Sequence, residues 1–238
     1  MRDTSASDAH RPPTVTSFEL FPDLQTHPAP GTREPLGPGA QVLRGFALPL
    51  AERLVPAIDD IAAHSPFRRM VTPGGFTMSV ALTNCGALGW TSDRRGYRYS
   101  PIDPQHGQPW PAMPAAFRAL ARDAAAAAGF DGFSPDACLI NRYLTGARLS
   151  LHQDRDEQDL DAPVVSVSLG MAATFLFGGL ARTDKAQRIQ LHHGDVVVWG
   201  GADRLRFHGV LPLKGTPHPL LGEQRINFTF RKAGGKGR

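Results

Sequence analysis

Residues 141–157 read Asn141-Arg142-Tyr143-Leu144-Thr145-Gly146-Ala147-Arg148-Leu149-Ser150-Leu151-His152-Gln153-Asp154-Arg155-Asp156-Glu157. His152 and Asp154 are two positions apart, so in an extended segment their side chains leave the same face of a sheet. An imidazole and a carboxylate side by side can supply two ligands of a facial iron site, with the third coming from a distant strand. His208 is the candidate for that third ligand. Because a single His-x-Asp pair is also compatible with a purely structural role, a second feature is needed.

The C-terminal segment Arg225-Ile226-Asn227-Phe228-Thr229-Phe230-Arg231 supplies that second feature. A period of two places its four polar residues on one face of a strand and its three apolar residues on the other. Two arginines that flank an amide and a hydroxyl are typical of a dicarboxylate site. Guanidinium groups bind carboxylates through forked hydrogen bonds that a lysine cannot reproduce.

These motifs resemble the AlkB family of 2-oxoglutarate- and Fe(II)-dependent dioxygenases, which repair alkylated nucleic acid. The matching motifs are, in chain order, Met78-Ser79-Val80, Leu88-Gly89-Trp90, Tyr97-Arg98-Tyr99-Ser100-Pro101-Ile102-Asp103, Asn141-Arg142-Tyr143, His152-x-Asp154, Gly194-Asp195-Val196-Val197-Val198-Trp199, His208 and Arg225-x-Asn227-x-Thr229-x-Arg231. Their order and approximate spacing are those of the family. The resemblance extends from about Phe18 to Ala233, which is nearly the whole chain.

The bulk properties agree with one globular enzyme. The chain has 238 residues, of which 41% are hydrophobic, enough for a substantial core. It contains no run of about eighteen apolar residues and its N-terminus lacks the apolar core of a secretory signal, so we expect no membrane association and a cytoplasmic protein. Two cysteines, Cys85 and Cys138, are expected to be buried reduced thiols. A formal net charge of +4 permits nucleic-acid binding without requiring it.

Periodicity predicts two helices and a series of short strands. Leu50, Leu54, Ile58 and Ile61 follow helical spacing, with Pro56 expected to bend or delay that helix, and residues 115–128 form a second helix. Residues 76–83 alternate as a half-buried strand. Further short strands are predicted over 41–46, 137–143, 164–169, 174–177, 188–191, 195–199 and 225–230.

Such a series indicates a β-sandwich or barrel. The resemblance implies a fold that is mainly β with flanking helices. Its core would be a double-stranded β-helix (jelly roll), preceded by an N-terminal nucleotide-recognition lid. The expected divisions are a flexible extension over residues 1–17, support helices and lid over 18–136, the catalytic core over 137–233, and a basic tail over 234–238.

The loop-rich stretch 84–113 carries aromatic residues interleaved with arginines. Such residues suit nucleic acid, because rings stack on bases and guanidinium groups contact phosphates. From composition alone, a surface flap whose aromatics pack against the domain is an equal alternative. The resemblance implies a substrate-binding lid formed by Trp90, Tyr97, Arg98 and Tyr99, with Trp90 stacking on the damaged base and Tyr97 contacting a phosphate. A base in a duplex would have to be flipped out to reach the iron.

An acidic run follows the His-x-Asp pair, and its ordinary role would be a solvated loop. However, 1-methyladenine and 3-methylcytosine are cationic, and a carboxylate close to the iron would favour them where water is excluded. Asp156, and then Glu157, are the candidates, because the family has an acidic pair here. Arg182 resembles a further substrate-contacting arginine of the family.

The resemblance also implies the remaining site. His152, Asp154 and His208 would bind Fe(II) and form the catalytic centre. Arg225 would pair with the distal carboxylate of 2-oxoglutarate, and Arg231 would lie near the iron-chelating end. The rest of the cosubstrate pocket would consist of Asn141, Tyr143, Ser166, Asn227 and Thr229. His192 and His193, at a strand end, are expected to face solvent and are not assigned to the metal.

The sequence therefore predicts a monomeric enzyme that oxidatively demethylates N-alkylated bases, such as 1-methyladenine and 3-methylcytosine, in single- or double-stranded DNA, with RNA left open. It would use Fe(II), 2-oxoglutarate and O2 and release formaldehyde, succinate and CO2. One alternative is the same oxygenase chemistry on another substrate, a modified RNA or a protein. Another is a non-catalytic jelly roll that binds metal or DNA.

Overall fold

The computed structural model describes residues 28–235. The predicted extension over residues 1–17 lies outside these residues, as does most of the predicted basic tail. None of the helices within the described range is long and apolar enough to cross a membrane.

The described residues form two α-helices, α1 (Ala51–His64) and α2 (Ala115–Ala127), and fifteen strands. The strands are, in chain order, β1 (Arg33–Gly37), β2 (Ala40–Leu43), β3 (Ala81–Gly86), β4 (Gly89–Asp93), β5 (Gly96–Ser100), β6 (Ile102–Asp103), β7 (Gln108–Pro109), β8 (Ala137–Leu144), β9 (Leu149–His152), β10 (Val164–Gly170), β11 (Ala173–Phe177), β12 (Gln187–Leu191), β13 (Val196–Trp199), β14 (His208–Val210) and β15 (Gln224–Arg231).

Two antiparallel sheets form the body of the molecule. A seven-stranded sheet has the order β1-β2-β13-β10-β15-β8-β3, and a four-stranded sheet has the order β12-β11-β14-β9. The apolar residues between the sheets come from both layers, for example Tyr143 and Trp199 from the larger sheet and Phe175 and Phe177 from the smaller one. This arrangement confirms the predicted jelly roll, and strands β1 to β3 extend its larger sheet.

The outer face of the seven-stranded sheet is covered by the two helices. Phe228 and Phe230 of β15 pack against Phe117 of α2, with ring centroids 4.9 and 6.0 Å apart. Leu54 and Ile58 of α1 belong to the same buried cluster. The apolar face of β15 is thus buried under helices, which turns its polar face toward the interior between the sheets.

Three predictions for the N-terminal half need correction. The strand predicted over residues 76–83 begins only at Ala81, because of the preceding residues only Thr77 makes a bridge, to Val71, and Phe76 is 76% exposed. Helix α1 begins at Ala51 and continues through Pro56, so the proline does not delay its start, and burial of one apolar face offsets the missing N–H. The stretch 84–113 is not an irregular loop, because β4 pairs with β5 and β6 pairs with β7.

Candidate active site

The smaller sheet brings two histidines together at its edge. β14 runs antiparallel to β9, with His208 opposite His152. The Nε2 atoms of both rings lie 3.7 Å from the Asp154 carboxylate, His152 from Oδ1 and His208 from Oδ2. The ligand atoms of the three residues all lie within 4.8 Å of one another. The structure therefore collects the three predicted ligands around a volume that fits one metal ion.

The backbone fixes the tautomer of both rings. Nδ1 of His152 lies 2.9 Å from the carbonyl oxygen of Ser150, and Nδ1 of His208 lies 3.0 Å from that of Arg206. Because a carbonyl oxygen only accepts hydrogen bonds, Nδ1 carries the proton in the neutral form of each ring, and in that form Nε2 keeps a free lone pair. Burial, together with the neighbouring His152, lowers the pKa of His208 to about 4. Its ring is therefore neutral at physiological pH, which is the form that binds metal.

Asp154 is held as a carboxylate by two arginines. Arg231 donates hydrogen bonds to Oδ2 from Nε at 2.9 Å and Nη2 at 2.7 Å. Burial alone would raise the pKa of Asp154, but the charge of Arg231, followed by the histidines, outweighs it and holds the pKa below its usual range. Nη1 of Arg204 donates to the backbone oxygen of Asp154 at 2.6 Å, which fixes the chain on which the ligand is carried.

Arg225 is a buried cation with unused donors. Only 1% of its surface is exposed, its Cζ lies 5.0 Å from the centroid of the Tyr143 ring, and its Nη2 donates to Ser168 Oγ at 2.8 Å. Within residues 28–235, its Nε and Nη1 and the hydroxyl of Tyr143 have no hydrogen-bond partner. Burying a guanidinium in this state is costly, and a carboxylate that accepted from these groups would remove the cost. The pocket therefore fits one carboxylate of 2-oxoglutarate.

Asn227 is the centre of a polar network on the same face of β15. Its Nδ2 donates to Ser166 Oγ at 2.8 Å and to the backbone oxygen of Val167 at 2.9 Å. Its Oδ1 accepts from Asn141 Nδ2 and from Thr229 Oγ1, both at 3.3 Å. The predicted cosubstrate residues thus form one continuous surface along the strand from Arg225 to Arg231.

The two arginines at the ends of this surface differ in their partners. Arg231 pairs with two acidic side chains, because it binds Asp154 and its Nε also lies 3.3 Å from Glu157 Oε1. Burial opposes its charge, yet Asp154 raises the pKa of Arg231 above its ordinary value. Arg225 has no acidic partner among its hydrogen bonds in the described chain. Of the two, Arg225 is therefore the arginine with donors free for an anion, whereas Arg231 is held by Asp154 and Glu157.

The predicted substrate-binding aromatics lie on the β4–β5 hairpin. Trp90 is paired with Tyr99, and the rings of Trp90 and Tyr97 stack with centroids 5.4 Å apart and an interplanar angle of 17°. Tyr97 is 48% exposed. The guanidinium of Arg98 pairs with Asp93 of the same hairpin at 2.7 Å, so it already has an anionic partner.

The remaining predicted substrate residues have different environments. Asp156 is exposed and accepts a hydrogen bond from Trp90, whereas Glu157 is buried between arginines. Arg182 is exposed, with its Cζ 5.2 Å from the centroid of the Phe207 ring. Asp156 and Arg182 therefore face solvent near the site, and Glu157 does not.

Two polar residues of the site were not predicted from the sequence. Ser168 could have been found, because it lies two positions after Ser166 on a strand and so shares its face. Arg204, in the turn before β14, has no such local signal. Trp199, predicted as core, is 1% exposed, and its ring centroid lies 4.9 Å from that of His208, so it forms an apolar wall behind that ligand.

Comparison with known proteins gives a consistent result. The profile of the 2OG-Fe(II) oxygenase superfamily matches residues 39–231. The alpha-ketoglutarate-dependent dioxygenase AlkB of Escherichia coli is 63% identical over 219 residues, which is 92% of this chain and 99% of that protein. An AlkB homolog of Caulobacter vibrioides is 46% identical over 82% of this chain and 88% of its own length. The solved structure of OsALKBH1 superposes with a TM-score of 0.73 at 30% identity, over 84% of this chain and 100% of that one.

Proposed function

The chain belongs to the AlkB family of the 2OG-Fe(II) oxygenase superfamily, and we propose that its substrates are N-alkylated bases in DNA, with 1-methyladenine and 3-methylcytosine as the preferred lesions. It is a dioxygenase that depends on Fe(II) and 2-oxoglutarate and demethylates alkylated bases of nucleic acid. Several points stay predictions. They are the choice of DNA over RNA, the monomeric state, the division of the chain at residues 17, 136 and 233, and a cytoplasmic location.

His152, Asp154 and His208 would hold the iron through two unprotonated Nε2 atoms and a carboxylate. When bound, iron, 2-oxoglutarate and O2 supply the oxidising power that turns an N-methyl group into an N-hydroxymethyl group, which leaves as formaldehyde while the cosubstrate becomes succinate and CO2. The free donors of Arg225 and the hydroxyl of Tyr143 would hold one carboxylate of the cosubstrate. This single observation, a buried cation without an anion, supports the cosubstrate assignment most directly.

The β4–β5 hairpin would hold the base. The indole of Trp90 lies beside the acidic loop that carries Asp154, so it can cover a base presented to the metal. Tyr97 and Arg182, both exposed, would contact the phosphate backbone. Asp156, exposed at the mouth of the site, would attract the positive charge that methylation places on adenine N1 or cytosine N3.

The test is formaldehyde release from a single-stranded oligonucleotide that contains one 1-methyladenine, with Fe(II), ascorbate and 2-oxoglutarate supplied. We expect one formaldehyde per restored adenine and no release by the Asp154→Ala variant. The same lesion in an RNA oligonucleotide, in direct competition, ranks the two nucleic acids. The absence of formaldehyde from every methylated oligonucleotide, with 2-oxoglutarate still consumed, would overturn the proposed substrate class.

A further inference from the structure

Two consecutive acidic residues each accept a hydrogen bond from one strand of the same hairpin. We call β4 and β5 (residues 89–100) the lid hairpin, and residues 153–163, between β9 and β10, the metal loop. Trp90 and Tyr99 face each other across the lid hairpin. Nε1 of Trp90 donates to Asp156 Oδ2 at 2.9 Å, and the hydroxyl of Tyr99 donates to Glu157 Oε1 at 2.7 Å. The lid hairpin is therefore fastened to the metal loop at two adjacent points.

These two points differ in their surroundings. Asp156 is exposed, so its hydrogen bond to Trp90 competes with water. The side chain of Glu157 is only 2% exposed, and it lies between Arg204 Nη2, 3.2 Å from Oε2, and Arg231 Nε, 3.3 Å from Oε1. Both oxygens of this buried carboxylate are therefore already paired, with two cationic side chains and a phenol hydroxyl. It offers no oxygen to an incoming base.

Arg204 continues the connection to the metal ligand. It is 3% exposed, and besides Glu157 it donates to the backbone oxygen of Asp154 from Nη1 at 2.6 Å and to that of Ala162 from Nε at 3.0 Å. A continuous path of hydrogen bonds therefore runs from Tyr99 on the lid hairpin, through Glu157 and Arg204, to the backbone of Asp154.

We propose that Glu157 is a positioning residue, which holds the lid hairpin against the metal loop through Tyr99, while Asp156 alone recognises the charge of the base. The second half of this proposal rests on the proposed function. In this arrangement the exposed Trp90–Asp156 bond can give way to a cationic base, because the buried Tyr99–Glu157 bond keeps the lid hairpin in place.

The first test measures amide hydrogen exchange of the lid hairpin and needs no substrate. Removing the hydroxyl in Tyr99→Phe takes away a hydrogen bond to a charged group, so exchange over residues 89–100 should become about tenfold faster or more. Tyr97→Phe is the matched control, because it removes a hydroxyl from the same strand on an exposed ring, and we expect wild-type exchange. Equal exchange in wild type and Tyr99→Phe would overturn the proposed fastening.

The second test separates positioning from recognition. Demethylation is measured for cationic 1-methyladenine and for neutral 1-methylguanine in the same oligonucleotide. In Asp156→Asn the preference for the cationic base in kcat/KM should fall about tenfold. In Tyr99→Phe and in Glu157→Gln, KM should rise by the same factor for both bases within each variant, and the double variant should lose less than the sum of the two single effects, because the two residues share one hydrogen bond.

A loss of preference for the cationic base in Glu157→Gln, equal to that in Asp156→Asn, would overturn the division of roles. Tyr99→Phe keeps this test independent of folding, since it leaves the buried charges intact. If no variant and no wild-type protein demethylates either base, the proposed function fails, while the exchange experiment still decides whether Glu157 and Tyr99 hold the lid hairpin.

Discussion

Arg231 binds Asp154 with two nitrogens, Nε at 2.9 Å and Nη2 at 2.7 Å, and both hydrogen bonds end on the same oxygen, Oδ2. Oδ1 is left on the side of His152, 3.7 Å from its Nε2. Arg231 thus fixes the rotation of the carboxylate so that each of its oxygens lies 3.7 Å from the Nε2 atom of one histidine, Oδ1 from that of His152 and Oδ2 from that of His208. Because Oδ2 already accepts both hydrogen bonds from Arg231, Oδ1 keeps more of its acceptor capacity for a metal ion.

The first prediction concerns this pair. Arg231→Lys keeps the positive charge but replaces a planar fork by a point donor, so Asp154 should bind metal about tenfold more weakly. Calorimetric titration with Mn(II) in the absence of O2 measures the change. Arg122→Lys, at an exposed arginine on α2, is the matched control and should bind as wild type. Unchanged affinity in Arg231→Lys would show that Asp154 needs no such orientation.

The second prediction concerns the buried anion site. Arg225→Lys should raise the dissociation constant for 2-oxoglutarate about a hundredfold, because lysine replaces the planar guanidinium, whose Nε and Nη1 have no partner, by a point charge. Ser168→Ala removes only the partner of Nη2 and should have a few-fold effect. Titration of the Mn(II)-loaded protein with 2-oxoglutarate gives both values. Wild-type binding by Arg225→Lys would place the cosubstrate carboxylate elsewhere.

The third prediction uses metal removal. A ligand that binds only the folded state stabilises it by mass action, so Mn(II) at about a hundred times its dissociation constant should add about 2.7 kcal/mol to the free energy of unfolding, and a chelator should reverse the gain. His208→Ala should lose most of this stabilisation. His106→Ala, in an exposed turn, should keep it. Equal stabilisation in all three proteins would mean that the ion binds outside the proposed triad.

The fourth prediction is a dependence of stability on pH. The rings of His193 and His218 stack with centroids 4.3 Å apart, and His193 is half-buried. Nδ1 of His193 accepts a hydrogen bond from the backbone N–H of Gly170 at 3.0 Å, and Nδ1 of His218 accepts one from that of Leu220 at 3.2 Å. Burial, and for His193 also the charge of His218, lowers the pKa of both rings.

Because the unfolded chain binds these protons more readily, the pair contributes full stability above a pH of about 6.5, the ordinary pKa of histidine, and loses it as the pH falls through the lower folded-state pKa values. The free energy of unfolding, measured with urea between about pH 7.5 and 5, should therefore fall more steeply in wild type than in His193→Gln. Parallel curves for the two proteins would exclude a contribution from this pair.

The jelly roll could be predicted well from the sequence in its C-terminal half. The alternation of β15 identified both the polar site face and the apolar face that packs under α2, because the period of a strand is a local property. Residues 76–83 alternate in the same way, yet the strand begins at Ala81. A strand requires a neighbour with which to pair along its length, and residues 76–80 make only an isolated bridge.

The chain alone determined which residues are candidates for the chemistry. His152 and Asp154 are two positions apart, His208 follows as the candidate third ligand from a distant strand, and Arg225 and Arg231 lie on one face of one strand. Sequence spacing was sufficient for the pairs within a strand, since residues an even number of positions apart in a strand share a face.

Only the tertiary structure determined which side chains each candidate residue contacts. It left Arg225 without an anion and occupied Arg231 with Asp154, and it buried Glu157 beside Arg204 while Asp156 stayed exposed. Burial and charge at a side chain are set by neighbours that are distant in sequence, and Arg204 is 47 residues from Glu157. Two adjacent acidic residues of the same chemistry can therefore have different functions, and their sequence cannot distinguish them.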